Sequence, residues 1–156
     1  MKLRMLAVGQ KMPAWVTAGY DEYAHRMPPD CRLELTEIPL GQRSKSQPVE
    51  RAMAAEADKL LAAVGERDRL IALDVTGKSW RTEQLATQLA EWRQDGRDVC
   101  FAIGGPDGLA RSVLDRAERR WSLSALTLPH PLVRIVLAEQ LYRAWSILAN
   151  HPYHRA

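Results

Sequence analysis

Five short apolar runs alternate along this chain with five stretches of helical pattern, and that order restricts the fold more than any other feature. The runs lie at residues 3–8, at Leu33, Leu35 and Ile38, at residues 69–74, at residues 99–103 and near residues 123–126. The helical stretches fall at residues 13–26, 49–63, 82–92, 110–118 and 131–150. Two of the runs, 69–74 and 99–103, are apolar throughout or nearly so, as strands covered on both faces must be. Strands that alternate with helices build βαβ units, so the expected architecture is α/β, a mainly parallel sheet flanked by helices. Residues 77–78, Gly-Lys, read as a turn after the third strand. In the first helix, Trp15, Ala18, Gly19 and Tyr23 fall near one face.

The chain has 156 residues, enough for one core, and neither a repeat nor a linker divides it, so residues 1–156 read as a single domain. The stretch 41–48, Gly-Gln-Arg-Ser-Lys-Ser-Gln-Pro, is polar and basic and reads as a mobile loop. Cys31 and Cys100 are the two cysteines, and Cys100 sits inside an apolar run, so nothing suggests a disulfide. No run approaches the roughly 18 apolar residues of a membrane span, and residues 1–4 lack a signal-peptide pattern, so the expectation is a cytoplasmic protein without membrane contact. Charge is unevenly spread. Residues 1–103 balance 15 basic against 15 acidic side chains, whereas residues 104–156 carry seven Arg, no Lys and four acids. An Arg-rich third suits phosphate and base recognition, and it equally describes a solvated basic face.

In open parallel sheets, ligands bind beyond the carboxyl ends of strands. That rule points to Leu73-Asp74-Val75, to the loop Gly104-Gly105-Pro106-Asp107-Gly108, and to the segment after Leu123. The glycine loop reads either as a turn or as a place where backbone approaches a ligand. No Lys or Ser/Thr follows Gly108, so it is not a phosphate loop, and a phosphate-handling enzyme is disfavoured. A dinucleotide fingerprint would follow the first strand, which here ends in the single Gly9. Residues 121–131 alternate leucines with small hydroxylated residues, which fits an adenine wall as well as an ordinary core strand. The last helix has few polar positions, among them Arg134, Glu139 and Arg143, and should be covered on more than one side, by the sheet and by a second subunit. Glu139 and Arg143 are spaced to pair. The tail, residues 150–156, holds two His, a Tyr and an Arg.

Taken together, Met1-Lys2-Leu3 with Ala7-Val8-Gly9, Ile103-Gly104-Gly105-Pro106-Asp107-Gly108-Leu109, Ser122-Leu123-Ser124-Ala125-Leu126-Thr127-Leu128-Pro129-His130, Glu139-Gln140-Leu141-Tyr142-Arg143-Ala144-Trp145 and His151-Pro152-Tyr153-His154 resemble the bacterial pseudouridine N3-methyltransferases of large-subunit ribosomal RNA. The resemblance spans the chain, and residues 43–66 match least well. It implies a SPOUT fold with a C-terminal trefoil knot, which general topology rules would have excluded. It implies S-adenosyl-L-methionine held by Leu73, Gly104, Leu123, Ser124, Ala125, Leu126, Thr127 and Leu128. It further implies a homodimer, with the site at the interface, acting on a 23S rRNA stem-loop in the assembled ribosome.

The implied reaction is direct displacement of the sulfonium methyl group by N3 of the base, with no metal and no covalent enzyme intermediate. Alignment is then the main task. His154 or Tyr153 would assist as base or hydrogen-bond partner, and Arg143 would stabilise charge developing on the base. The alternative is a non-catalytic RNA-binding subunit associated with the ribosome.

Overall fold

The computed structural model describes residues 1–154; Arg155 and Ala156, at the end of the tail, lie outside the described residues. The chain runs β1 (Lys2–Val8), α1 (Ala14–Ala24), a 3-10 turn (Pro29–Cys31), β2 (Arg32–Ile38), α2 (Val49–Ala62), β3 (Arg69–Ser79), α3 (Thr82–Asp95), β4 (Val99–Ile103), α4 (Arg111–Arg116), β5 (Arg119–Ser122) and α5 (His130–Leu148). The five strands form one sheet in the order β2-β1-β4-β3-β5, and every pairing is parallel.

The sheet's two faces are filled by alternate residues of the same strands. Leu3, Met5 and Ala7 of β1 join one core with Tyr20 of α1, Leu85, Leu89 and Trp92 of α3, and Leu137 and Leu141 of α5. Leu6 and Val8 point the other way, toward Ala57 and Leu60 of α2 and Val113 of α4. This period of two is the pleat of a strand buried on both faces. Burying Leu137 or Leu141 completely contributes about 2 kcal/mol each.

Three expectations change. The fifth strand lies at Arg119–Ser122, upstream of residues 123–126, because Ser122 and Ser124 divert the backbone there from a ladder. Gly77-Lys78 is not a turn: β3 continues to Ser79 through a bulge. On α1 the core-facing residues are Val16 and Tyr20, while Trp15 is 56% exposed. Within its own chain α5 packs on the sheet, α1 and α3. A Cβ on Gly19 would come 2.7 Å from Ile135 Cδ1, so that glycine is what lets α1 approach α5 closely.

Candidate functional site

Three loops converge at the carboxyl ends of β3, β4 and β5 and enclose a cavity of about 420 Å³ with mostly apolar walls. The first is the β3 bulge. Trp121 of β5 is opposite both Leu73 and Lys78, so the residues between them leave the ladder, and Asp74 and Val75 form part of the cavity wall. Gly77 makes this possible, because a Cβ there would lie 2.5 Å from the carbonyl carbon of Arg120.

The second loop follows β4. Gly108, at φ 80°, donates its N–H to the Gly105 carbonyl at 3.1 Å and closes the turn. A Cβ on Gly104 would sit 2.5 Å from the Gly108 carbonyl carbon. The tightness at Gly104 thus comes from the loop's own backbone. The third loop joins β5 to α5. Ser122 Oγ donates to the Ser124 carbonyl, and Ser124 Oγ accepts from the Leu126 N–H, both at 2.9 Å. These bonds take the segment out of the ladder, and Leu123, Ser124 and residues 126–129 line the cavity.

Of the residues expected to hold a cofactor, Leu73, Gly104, Leu123, Ser124, Leu126, Thr127 and Leu128 line the cavity; Ala125 is exposed and does not. Asp74, Trp121 and His130 line it as well. Trp121 Nε1 and His130 Nδ1 are buried without a hydrogen-bond partner. Burial, and then the Arg134 guanidinium, hold the His130 imidazole below its ordinary pKa. Arg134 is itself 2% exposed; it pairs with Glu37 at 2.6 Å and donates to the Gly9 carbonyl at 2.8 Å, which fixes the start of α5 against the ends of β1 and β2.

The basic stretch expected to be mobile is fastened. Arg43 pairs with Glu56 of α2 at 2.7 Å and with Asp107 of the glycine loop at 2.9 Å, and the Gly41 N–H donates to Glu56 at 3.0 Å. Glu56 is 3% exposed, so this anchor is inside the protein.

Arg143, Tyr153 and His154 come together, but away from their own chain's cavity. Asn150 adopts φ 52°, and the His151 N–H reaches back to the Ser146 carbonyl at 2.8 Å, so the tail reverses onto α5. The Tyr153 ring centroid lies 4.6 Å from that of Tyr142. Arg143 donates through Nε to Glu139 at 2.7 Å, and its guanidinium sits 5.1 Å from the Tyr153 ring centroid. Burial first, and the Glu139 carboxylate next, push the Tyr153 hydroxyl up to about 12. His130 begins α5 at the cavity, whereas Arg143 lies roughly 20 Å further along the helix axis. Sequence reasoning missed one member of this group, Ser146, whose hydroxyl lies 3.2 Å from His154 Nδ1. A serine inside an apolar helix is ambiguous in sequence, since such a hydroxyl often bonds only its own backbone.

Among the described residues no group of three or more His, Cys, Asp or Glu is placed to hold a metal. No described helix is long and apolar enough to cross a membrane.

Comparison with known proteins follows the same lines. The family described as "Predicted SPOUT methyltransferase" matches residues 1–154. "Ribosomal RNA large subunit methyltransferase H" of Chromohalobacter salexigens is 59% identical over 155 residues, covering 99% of this chain and 100% of that protein. The protein of the same name from a Marinomonas species is 54% identical over 155 residues, with the same coverage. Among solved structures, a probable methylase family protein from Haemophilus influenzae superposes with a TM-score of 0.58 at 11% identity, over 99% of this chain and 70% of that one, a likeness of fold.

Proposed function

The chain belongs to the SPOUT methyltransferase family, and we propose that it transfers a methyl group from S-adenosyl-L-methionine to N3 of a pseudouridine in a 23S rRNA stem-loop of the large ribosomal subunit. The observation that carries this reading is the cavity at the strand ends, built from the segments on which the resemblance places the cofactor. Its mostly apolar walls fit an adenine ring, and its volume is within the range of small-molecule sites. Asp74 lines the wall and would accept from ribose hydroxyls, and the partnerless Trp121 Nε1 and His130 Nδ1 leave hydrogen-bonding capacity there.

When bound, the cofactor supplies an electrophilic methyl group on sulfur. This chain's residues supply position and proton handling. The three loops that line the cavity would hold the donor in position. Arg143 presents a fixed positive charge for the base as its imide loses a proton. Tyr153, kept protonated beside Glu139, serves as a hydrogen-bond donor and not as the base.

Because Arg143 lies about 15 Å along α5 from Val133, the last residue of that helix to line its own cavity, we include a homodimer in which each tail serves the partner's cavity. It also includes the C-terminal trefoil knot. β5 lies outside β3 at the sheet's edge, yet α5 packs back against α1 and α3, so the connection at residues 123–129 crosses the ends of β3 and β4, where such a knot would be tied. The setting is the assembled ribosome in the cytoplasm.

Calorimetry with S-adenosylmethionine, followed by methylation of intact ribosomes and of free rRNA with base mapping, tests the reading. Micromolar binding with methylation of a pseudouridine on ribosomes is the expected result. RNA affinity without cofactor binding would establish the non-catalytic subunit instead.

A further inference from the structure

The imide nitrogen of the target base carries a proton that must leave, and Ser146 shows which atom is prepared to take it. Ser146 is completely buried in α5. Its hydroxyl has one hydrogen, and Oγ lies 2.7 Å from the carbonyl oxygen of Arg143, an acceptor that can only receive. The same Oγ lies 3.2 Å from His154 Nδ1. A hydrogen given to that carbonyl leaves Oγ to meet Nδ1 as an acceptor, an arrangement that needs the ring proton on Nδ1.

We propose that Ser146 is a positioning residue that fixes His154 as the Nδ1–H tautomer and leaves the Nε2 lone pair free to accept the N3 proton of the target base. The inference rests on the methyltransferase reading above and adds to it the group that acts as base.

The step balances. The N3–H bond breaks with its electron pair left on N3, and the proton goes to His154 Nε2. The N3 pair forms the bond to the methyl carbon as the carbon–sulfur bond breaks toward sulfur, leaving a neutral thioether. His154 becomes an imidazolium whose Nδ1–H still donates to Ser146, and it later gives its Nε2 proton to water. Charged groups around the ring have complementary tasks. Glu139 and Arg143 pair with one another on the adjacent turn of α5, and Tyr153 donates to Glu139 at 3.1 Å, so none of the three competes for Nε2. The same hydroxyl that ties the ring also ties the carbonyl of Arg143, so base and cation share one mount.

Two measurements decide the matter. Long-range proton–nitrogen correlation spectra of the wild-type protein report the His154 tautomer directly, with the Nδ1–H form expected. In Ser146→Ala the ring should shift toward a mixture with the Nε2–H form, and kcat should fall at least about tenfold while KM and cofactor affinity hold within about twofold. A wild-type His154 found as Nε2–H overturns the inference, as does a folded Ser146→Ala protein with wild-type kcat. Neither result touches the functional reading, which fails separately if the wild-type protein binds no S-adenosylmethionine or methylates no rRNA. The spectrum needs no turnover, so it judges the tautomer even if Ser146→Ala is unstable.

Discussion

Tyr153 donates its hydroxyl to Glu139 Oε1 at 3.1 Å, and the same oxygen accepts from Arg143 Nε at 2.7 Å. One carboxylate of α5 thereby gathers a tail residue and a helix residue that sequence places ten positions apart. Around it, Tyr142 packs on Tyr153, and Arg26, two residues past the end of α1, reaches over the rings of Tyr23, Tyr142 and Tyr153. The tail is therefore a docked element, and Glu139 is the hinge of its chemistry.

Replacing Glu139 by Gln keeps an acceptor but removes the charge. Tyr153 should then titrate below about 12, nearer its ordinary value of 10.0, as read by ultraviolet absorbance against pH. In the native protein the raised value favours the protonated hydroxyl. The stability it lends is fully present below pH 10.0 and is lost as pH rises through about 12. Methyl transfer by Glu139→Gln should fall about tenfold with cofactor affinity unchanged, since Arg143 loses its ionic anchor. A variant with unaltered tyrosine titration and unaltered turnover would show that the carboxylate is only a surface partner.

The sheet was legible in the sequence because strands buried on both faces write themselves as apolar runs; Val99 to Ile103 are all 2% exposed or less. The rule of strand carboxyl ends then located the cavity at Leu73-Asp74-Val75, at the glycine loop and after Leu123. What failed was local. The bulge after Leu73 depends on a close approach between Gly77 and the Arg120 backbone, a contact between residues distant in sequence. The strand expected at residues 123–126 lost to hydroxyl–backbone bonds that no periodicity displays. Part of the apolar girth of α5 is taken by α1 and α3 of its own chain, and a single helix pattern cannot say how much such neighbours take. Arg134, polar in sequence, is one of the most buried side chains, because its charge is matched by Glu37 and a carbonyl.

Gly104 is held by contact with its own turn. Gly104→Val should weaken S-adenosylmethionine binding at least about tenfold and also cost about 2 kcal/mol of folding stability, because a β-branched group must displace the Gly108 backbone. Calorimetry and urea unfolding read the two effects. Full stability with lost binding would place the constraint in the ligand space instead.

The cysteines should be chemically silent. Burial pushes Cys31 up to about 11 and Cys100 up to about 12, and both side chains are inaccessible. A disulfide reagent at pH 8 should label neither until denaturant is added. Labelling at the rate of a free thiol in the native protein would contradict the packing of β4.

Interior and outer positions of α5 should separate folding from association. Leu141 is fully buried within its own chain, so Leu141→Ala should cost about 2–5 kcal/mol of stability. Leu132 is 37% exposed at the other end of the same helix, and Trp15 on α1 is 56% exposed. Leu132→Glu or Trp15→Glu should change stability by less than about 0.5 kcal/mol while shifting the sedimentation coefficient from dimer to monomer. Soluble dimers from both charged variants would move the subunit interface elsewhere.

The tail should act on the partner's cofactor. It docks on the last two and a half turns of α5, against Glu139, Tyr142 and Ser146, while the cavity opens at the helix's first turn, at His130 and Val133. A rigid helix holds these docking residues about 14–24 Å along its axis from His130. Removal of residues 151–156 leaves every cavity-lining residue in place, so cofactor binding should persist while methyl transfer falls by at least about a hundredfold. Mixed dimers give the direction of sharing. One subunit lacks the tail, and the other carries Gly104→Val. If sites are shared, one of the two combines an intact cavity with an intact tail, and part of the activity returns; if each chain completes its own site, both remain broken and the mixture stays inactive. Wild-type turnover on ribosomes by the truncated protein alone would remove the tail from the mechanism altogether.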